Sequence, residues 1–234
     1  MEALYKKISI IIPVYNEERT LRKLINAVEA VDLPLKKEVI LIDDGSTDGT
    51  AQILEELSKN GVKVLRHERN LGKGAALRTG FAHAEGDIIL TQDADLEYDP
   101  SDYLLLLDPI LRGVADVVYG SRLSGGRPQR VYLFWHKVGN NFLTFLTNLL
   151  YNTTLTDMGT GYKVFKKEIL KNLRLRCRGF SIEPEMTAKI FKQKARVYEV
   201  LISYYGRSYK EGKKITWRQG VSALVALLWF RFFD

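Results

Sequence analysis

Three acidic residues lie two positions apart in the middle of the chain: Asp93, Asp95 and Glu97. They follow the apolar run 87–91, which is typical of a buried strand. If strand pairing stops there, every second side chain of the following loop can point into the same crevice. Oxygen-only ligands of this kind suit Mg²⁺ or Mn²⁺ shared with a substrate diphosphate, and a bound metal would relieve their mutual repulsion.

The same three acids could also form a turn that only caps the following helix, so the rest of the chain has to distinguish the two interpretations.

The chain has 234 residues, of which 46% are hydrophobic and 27% charged, as in a globular protein of one substantial or two small domains. The net charge of +7 suits nucleic acid, an anionic membrane or a phosphorylated substrate. No nucleic-acid recognition motif is present, so nucleic acid is not expected as a partner.

Cysteine and histidine usage argues against two other kinds of site. The single cysteine, Cys177, rules out an internal disulfide. His67, His83 and His136 lack the spacing of zinc ligands, so no zinc site is expected. The apolar run at the N-terminus is short and ends in proline, which does not match a signal peptide.

Apolar runs and helical periodicities alternate through the first half of the chain. Runs at 8–14, 38–42, 62–65 and 87–91 predict buried strands, separated by segments with helical spacing. This alternation predicts an α/β fold with a mostly parallel central sheet and helices on both faces. Residues 116–120 and 197–202 predict further strands.

Polar clusters follow three of these strands, at 15–17, 43–46 and 93–97. Ligands of open parallel sheets bind beyond the carboxyl ends of the strands, so the clusters are expected to form one site. No Gly-x-Gly-x-x-Gly follows the first strand, and the surroundings of Lys73 do not form a P-loop. Acids in place of glycines favour contacts to a base and ribose, with a metal binding the phosphates.

Two segments are rich in aromatic and aliphatic residues and contain few charges. Residues 131–155 hold six aromatic side chains among many leucines, which fits a core helix or a helix in a membrane interface. Residues 217–233 have helical spacing, but their unbroken apolar part, 221–230, is about half of the roughly 20 residues that a spanning helix needs. We expect this helix to lie on a membrane or to pack on the domain, and a truncated spanning segment remains an alternative.

Seven short motifs in order carry a resemblance to a known family. The first four are Ile12-Pro13-Val14-Tyr15-Asn16-Glu17, the run from Ile42 to Thr50, Asn70-Leu71-Gly72-Lys73-Gly74, and Asp93-Ala94-Asp95-Leu96-Glu97. The others are Gly120-Ser121-Arg122, residues 157–165 and residues 205–213. The chain resembles family 2 glycosyltransferases of the GT-A fold, and is most similar to dolichol-phosphate mannose synthases and polyprenyl-phosphate glucosyltransferases.

The resemblance implies an inverting, metal-dependent hexosyltransferase. Its donor would be GDP-mannose or UDP-glucose, its cofactor Mg²⁺ or Mn²⁺, and its acceptor a polyprenyl or dolichyl phosphate. A saccharide or protein acceptor is the alternative, and it would need a general base, for which Asp157 and Glu183 are the candidates. A non-catalytic nucleotide-sugar-binding or scaffold protein is a third hypothesis, against which the intact acids and arginines argue.

The resemblance also implies residue roles. The donor would be bound by Pro13, Tyr15, Glu17, Asp43, Asp44, Lys73, Asp93, Ala94 and Asp95, and the metal by Asp95 and Glu97. Phosphates would be bound by Arg122, Arg130, Arg207 and Lys213, with Asp95, Arg122 and Arg207 as the catalytic residues. Residues 1–215 would form the GT-A domain and 216–234 an amphipathic helix. We expect a peripheral location at the cytoplasmic face of a membrane, with a membrane-anchor partner or a second copy of the chain as a further possibility.

Overall fold

The computed structural model describes residues 5–123, 125–127, 130, 133–207 and 217–233. Seven strands form one sheet in the order β3-β2-β1-β4-β6-β5-β7. The strands are β1 (Lys7–Val14), β2 (Lys36–Asp43), β3 (Lys63–Arg66), β4 (Ile88–Thr91), β5 (Val117–Ser121), β6 (Lys163–Lys166) and β7 (Val197–Leu201). The α/β architecture with a mostly parallel sheet is therefore confirmed.

Of these seven described strands, β6 is the one that runs against its neighbours, pairing antiparallel with both β4 and β5. The pairs β1–β2, β1–β4, β2–β3 and β5–β7 are parallel. The carboxyl ends of β1, β2, β4 and β5 consequently meet at one edge of the sheet. The amino end of β6 arrives at the same edge, which brings the loop before Lys163 beside the end of β4.

Eight α-helices lie in the described part of the chain, and they cover both faces of the sheet. They are α1 (Leu21–Ala30), α2 (Thr50–Lys59), α3 (Lys73–His83), α4 (Tyr103–Leu111), α5 (Phe134–Tyr151), α6 (Lys167–Lys171), α7 (Ile182–Lys192) and α8 (Trp217–Phe232). Alternation along β1 sends Ile10 and Ile12 into one core and Ile11 into the other. The first core holds α1, α2 and α4, and the second holds α3, α7 and Leu227 of α8.

The helix α8 packs on the rest of the chain through a small set of contacts. Ala226 and Phe230 are buried with Ala188 of α7. The hydroxyl of Tyr151, at the end of α5, donates to the Leu227 carbonyl over 2.9 Å. Among the described residues, no helix has both the length and the hydropathy of a bilayer-crossing segment. The division into 1–215 and 216–234 stays a prediction.

Candidate active site

A cleft of about 420 Å³ opens at the edge where the carboxyl ends of the parallel strands meet. It is lined by Pro13, Val14, Tyr15, Glu17, Asp44, Asn70, Gly72, Lys73, Ala76, Asp93, Ala94, Asp95, Glu97, Tyr98, Arg122, Gly159, Gly161, Phe180, Glu183, Tyr204 and Arg207. The three polar clusters that follow β1, β2 and β4 in the sequence therefore contribute to one site.

The acids after β4 converge through a turn rather than through strand alternation. The strand ends at Thr91, and Leu96 has a positive φ of 60°. Such a backbone conformation is unusual for a branched side chain and is concentrated at functional sites. The turn sets Asp95 and Glu97 against the same arginine, Arg207. The three acids predicted from the sequence therefore line one cleft, and their roles stay a prediction.

Asp44 anchors the loop that leads into α3. Its carboxylate accepts from the backbone N–H of Leu71 (2.9 Å) and of Gly72 (2.8 Å), and lies 2.7 Å from Nδ1 of His67. Gly72 has a φ of 96°, and an added Cβ would meet the carbonyl of Arg178. Glycine is therefore required there, and the anchored loop positions the cleft residues 70–73.

Lys73 begins α3 and joins two acids of the cleft wall. Its Nζ lies 2.7 Å from Oδ1 of Asp93 and 3.0 Å from Oε1 of Glu183. On the other side of Asp93, a Cβ added to Gly161 would overlap the carboxylate. The backbone N–H of Gly161 donates to the hydroxyl of Tyr98 over 2.6 Å. The loop before β6 thus packs directly against Asp93.

Arg207 contacts acids from two different loops. Its guanidinium nitrogens lie 3.3 Å from both carboxylate oxygens of Glu17 and 3.2 Å from Oδ2 of Asp95. Its backbone N–H donates to Oε1 of Glu97 over 2.6 Å, and the hydroxyl of Tyr204 donates to the other oxygen of Glu97 over 2.6 Å. This residue therefore closes one side of the acidic cluster.

Arg122 is held by a single, fully buried acid. Asp157 accepts from Nε of Arg122 over 2.6 Å, from Nη2 over 2.8 Å and from its backbone N–H over 3.0 Å. Asn140 of α5 donates to the same carboxylate over 2.9 Å. Burial alone would raise the pKa of Asp157, but Arg122 and these hydrogen bonds keep it below its ordinary value. The guanidinium also lies 5.0 Å from the ring centre of Tyr204.

Asp95 is the acid of the cluster whose pKa is shifted most clearly by its surroundings. Burial first, and then the neighbouring Asp93 and Glu97, raise the pKa of Asp95 to about 7, although Arg207 opposes the shift. Among the described residues, no three His, Cys, Asp or Glu side chains lie close enough to bind a metal on their own. Mg²⁺ commonly takes only one or two carboxylates and completes its shell with substrate phosphates and water. Asp95, with excess negative charge around it, fits that kind of site.

Most of the predicted site residues line the cleft; of those that the structure describes, Asp43 and Arg130 do not. Asp43 accepts from the backbone N–H of Ser46 over 2.8 Å and lies 3.2 Å from Arg66, so its side chain supports the loop after β2. Arg130 donates from Nη1 to the Gly206 carbonyl over 3.0 Å. Lys213 lies outside the described residues.

The structure also adds residues that the sequence did not single out for this site. Tyr98 and Tyr204 form part of the lining, with ring centres 5.4 Å apart. Phe180, Gly159 and Gly161 enter from the loops before α7 and β6. A single tyrosine or phenylalanine has no local sequence signature of a site. Their role depends on the antiparallel strand β6, which alternation of strands and helices does not predict.

Helix α5 connects the cleft wall with an apolar surface. Its inner side includes Asn140, bonded to Asp157, and Thr144, which accepts from the backbone N–H of Met158 over 3.2 Å. Its outer side exposes Phe134, Trp135, Val138, Phe142, Phe145 and Leu149. At 100° per residue these six fall within an arc of about 100°, so one side of the helix is polar and inward and the other apolar and outward.

The sequence and fold have clear counterparts among known proteins. The model of the family "Glycosyl transferase family 2" matches residues 9–174. The chain is 32% identical over 216 residues to a UDP-N-acetylglucosamine–dolichyl-phosphate N-acetylglucosaminyltransferase of Methanococcus voltae, covering 84% of this chain and 85% of that protein. It is 27% identical to a dodecaprenyl-phosphate galacturonate synthase of Rhizobium johnstonii, covering 97% of this chain and 68% of that protein.

A third relative is the undecaprenyl-phosphate 4-deoxy-4-formamido-L-arabinose transferase of Salmonella paratyphi A, 31% identical over 89% of this chain and 62% of that protein. Among solved structures, glucosyl-3-phosphoglycerate synthase from Mycobacterium tuberculosis, determined with Mn²⁺, UDP and phosphoglyceric acid, superposes with a TM-score of 0.73. That likeness covers 98% of this chain and 80% of that one at 22% identity, and shows a shared fold. The chain belongs to glycosyltransferase family 2 and has the GT-A fold.

Proposed function

We propose that this glycosyltransferase transfers a sugar from a nucleoside-diphosphate sugar to a polyprenyl phosphate, assisted by a divalent metal. One observation carries the proposal: helix α5 forms part of the wall behind Arg122 and exposes an apolar face on its opposite side. A water-soluble acceptor would not require that face. The relatives named above, whose names specify lipid phosphates as acceptors, support the same class of acceptor.

The chemistry fits an anionic acceptor. An oxygen of the acceptor phosphate attacks the anomeric carbon as the bond from that carbon to the diphosphate oxygen breaks, and the nucleoside diphosphate leaves with the electron pair. The acceptor oxygen is already deprotonated at neutral pH, so no proton has to be removed. What the site must supply is positive charge around the leaving diphosphate and the approaching phosphate. Arg122, Arg207 and Lys73 are the cations of the cleft.

A divalent metal fits beside Asp95. When bound, Mg²⁺ or Mn²⁺ would act as a Lewis acid that stabilises the diphosphate leaving group. We propose Asp95 as its principal protein ligand, because its carboxylate lines the cleft between Asp93 and Glu97, with Arg207 3.2 Å away. Glu97 would support it, since its two oxygens already accept hydrogen bonds from Tyr204 and from the backbone of Arg207. Asp93 would face the donor from its fixed position between Lys73 and Gly161.

The two candidate bases have other partners. Both oxygens of Asp157 accept from Arg122, and the two oxygens of Glu183 lie within 3.0 Å of Lys73 and Lys163. Burial would raise the pKa of Glu183, but the two lysines hold it below its ordinary value. Neither carboxylate is arranged to accept a proton from a hydroxyl, which favours a phosphate acceptor over a saccharide or protein one.

The apolar outer faces of α5 and α8 are proposed to rest on a membrane surface. On α8, Val221, Val225, Leu228, Trp229 and Phe232 are exposed, and they too fall on one side of the helix. Phe233, directly after the helix, is also exposed. Several exposed apolar side chains grouped on one side of a helix usually mark a contact with a membrane or with another protein. A lipid surface suits a polyprenyl phosphate, whose chain must remain in the bilayer while its phosphate enters the cleft.

The decisive experiment is a donor panel. The protein is incubated with radiolabelled UDP-sugars and GDP-sugars, including N-acetylglucosamine, galacturonate, glucose and mannose, and with polyprenyl phosphate in vesicles. Reactions contain Mn²⁺, Mg²⁺ or a chelator. We expect one donor to label the lipid only when metal is present. The panel leaves the sugar open because the relatives transfer sugars other than the mannose or glucose that the resemblance suggested.

Two controls make the outcome clear. Asp108, an exposed acid on α4 paired with Arg112, serves as the matched site for Asp95, because Asp108→Asn should transfer at the wild-type rate. A parallel set contains water-soluble saccharides and phosphorylated small molecules as acceptors. Labelling of a soluble acceptor without labelling of the lipid would overturn the proposed acceptor, and labelling in the chelator would overturn the proposed metal.

The membrane contact has its own test. Phe145, 64% exposed on α5, is changed to Glu, and Leu104, 49% exposed on α4 at the other face of the sheet, is changed to Glu as the control. We expect Phe145→Glu to reduce sedimentation with vesicles and Leu104→Glu to leave it unchanged. Equal vesicle binding by both variants, with a change in oligomeric state for Phe145→Glu alone, would assign the face to a second copy instead.

A further inference from the structure

Four charged side chains of alternating sign form a line from the cleft into the interior. Asp93 lies 2.7 Å from Lys73, and Lys73 lies 3.0 Å from Oε1 of Glu183. Oε2 of Glu183 lies 2.5 Å from Nζ of Lys163, which also donates to the Thr160 carbonyl over 2.5 Å. The Asp93–Lys73–Glu183–Lys163 line, here called the buried charge line, carries no net charge.

The inner end of this line is inaccessible to water. Lys163 is completely buried, and its ammonium lies 4.9 Å from the ring centre of Tyr119. Burying a charged group is costly unless it is paired and hydrogen-bonded. A core made only for stability would place an apolar side chain there. Among the described residues, the acid in direct contact with this lysine is Glu183, so each of the two compensates the buried charge of the other.

Each member of the line comes from a different element. Asp93 follows β4, Lys73 is the first residue of α3, Glu183 lies in the first turn of α7, and Lys163 begins β6. Because these elements are packed in the core, their side chains have little freedom to move apart. Lys73 is held between two acids, and an ammonium has three N–H donors. Two are directed at Asp93 and Glu183, which leaves the third for an oxygen of a bound donor.

We infer that Glu183 is a positioning residue: it holds Lys73 against Asp93 and toward the donor, and Lys163 is the buried counter-charge that keeps Glu183 ionised. This inference rests on the proposed function for the identity of the donor, a nucleoside-diphosphate sugar. It gives Glu183 a role different from the general base considered for a hydroxyl acceptor. The oxygen that Lys73 binds belongs to the diphosphate or to a sugar hydroxyl of the donor.

The inference predicts a charge-balance effect that a general base would not show. Glu183→Gln leaves Lys163 without its acid and Lys73 with Asp93 alone, so the line gains one net positive charge. Adding Lys163→Met to Glu183→Gln restores neutrality to the inner half of the line. We expect Glu183→Gln to weaken binding of the nucleotide with Mn²⁺ by about tenfold, and the double variant to recover most of that loss, as coupled residues in one network do. Calorimetric titration with UDP and with GDP measures this without any acceptor.

Transfer kinetics and pH then separate the two roles. If Glu183 positions Lys73, the double variant regains transfer relative to Glu183→Gln, and the acid limb of the wild-type pH profile persists in Glu183→Gln. A double variant that transfers no faster than Glu183→Gln, together with loss of the acid limb, would identify a base and overturn the inference. Comparing the affinities for UDP and for the UDP-sugar identifies the oxygen that Lys73 binds. If it is a sugar hydroxyl, Glu183→Gln weakens binding of the UDP-sugar more than binding of UDP. If it is a diphosphate oxygen, the variant weakens both equally.

A matched control and a milder variant keep the test informative. Asp116 and Lys166 form a largely buried pair at 2.8 Å at the opposite edge of the sheet, so Asp116→Asn should lower stability without changing nucleotide affinity. If Glu183→Gln fails to fold, Glu183→Asp keeps the charge and shortens the reach, and weakened nucleotide binding with an unchanged pH profile is expected. Wild-type affinity in Glu183→Asp would overturn the inference. Because nucleotide binding is measured without an acceptor, this test can be interpreted even if the protein does not use a lipid phosphate as its acceptor.

Discussion

Two arginines border the cleft, and they are held in opposite ways. Arg122 makes hydrogen bonds of 2.6–3.0 Å to one fully buried acid, Asp157, which Asn140 also contacts. Arg207 is shared between Glu17 and Asp95 at 3.2–3.3 Å, with Glu97 further away. The first pair is part of the rigid frame. The second joins groups that a metal or a phosphate would compete for, so we expect it to rearrange when substrates bind.

Among these residues, Asp95, the acid that contacts Arg207, should have the largest effect on catalysis when it is replaced. Asp95→Asn is expected to lower transfer by about 1000-fold, because it removes the proposed metal ligand. Folding should be retained or improved, since burial and the neighbouring acids raise the pKa of Asp95 to about 7 and a neutral amide relieves that repulsion. Steady-state transfer and thermal melting measure the two effects. A variant that transfers at a near-normal rate would show that Asp95 binds no essential metal.

Breaking the rigid pair should affect stability as well as activity. Asp157→Asn leaves the Arg122 guanidinium without its counter-charge, at a cost of about 3 kcal/mol in the free energy of unfolding. Because the folded pKa of Asp157 is below its ordinary value of 3.8, its contribution is present above that pH and lost as the pH falls. Wild type and variant should therefore converge in melting temperature at acid pH. A constant difference across the pH range would contradict this assignment.

Arg207→Met should change transfer activity and metal affinity in opposite directions. We expect transfer to fall by about 100-fold, because an acceptor or leaving-group contact is lost. Affinity for Mn²⁺ without nucleotide should rise about threefold, since a cation that competes for Asp95 is removed. Arg22→Met, which breaks an exposed pair with Glu56, is the control and should change neither. Titration of Mn²⁺ by electron paramagnetic resonance measures the affinity, and a decrease in Arg207→Met would show that the arginine does not oppose the metal.

The smallest effect is expected at the sheet edge away from the cleft. Burial alone would raise the pKa of Glu38, but hydrogen bonds from Ser9, from the backbone N–H of Glu85 and from Lys7 lower it to about 2. Its stabilisation is present above its ordinary pKa of 4.5 and lost as the pH falls toward 2. Glu38→Gln should cost about 1–2 kcal/mol at neutral pH and leave transfer unchanged. A change in transfer would mean that this edge is coupled to the cleft.

The strand ends illustrate what local pattern predicts. Apolar runs located β1, β2 and β4, and the polar residues after them formed one cleft because parallel strands end at the same edge. The same reasoning placed Asp43 in the site, as part of the polar cluster 43–46. Neighbours in an extended chain point in opposite directions, and only the structure shows that Asp43 pairs with Arg66 while Asp44 holds the loop before α3.

The charged partners illustrate what local pattern does not predict. Arg207 is more than a hundred positions from Asp95, and Glu183 lies twenty from Lys163. Nothing in either sequence segment specifies its partner, because ion pairs depend on which elements become neighbours. For Lys163 the neighbour is set by the antiparallel pairing of β6 with β4, which brings residues 159–162 and Lys163 to the end of β4.

The sequence alone determined the class of this protein. Its periodicities specify strands and helices, and its ordered motifs specify the family, because both depend on residue types at short spacing. Only the tertiary structure decided which charges meet, whether an acid is free or paired, and which side of α5 faces outward. Those properties depend on distances between segments remote in the chain, and burial makes each such contact stronger than it would be in water.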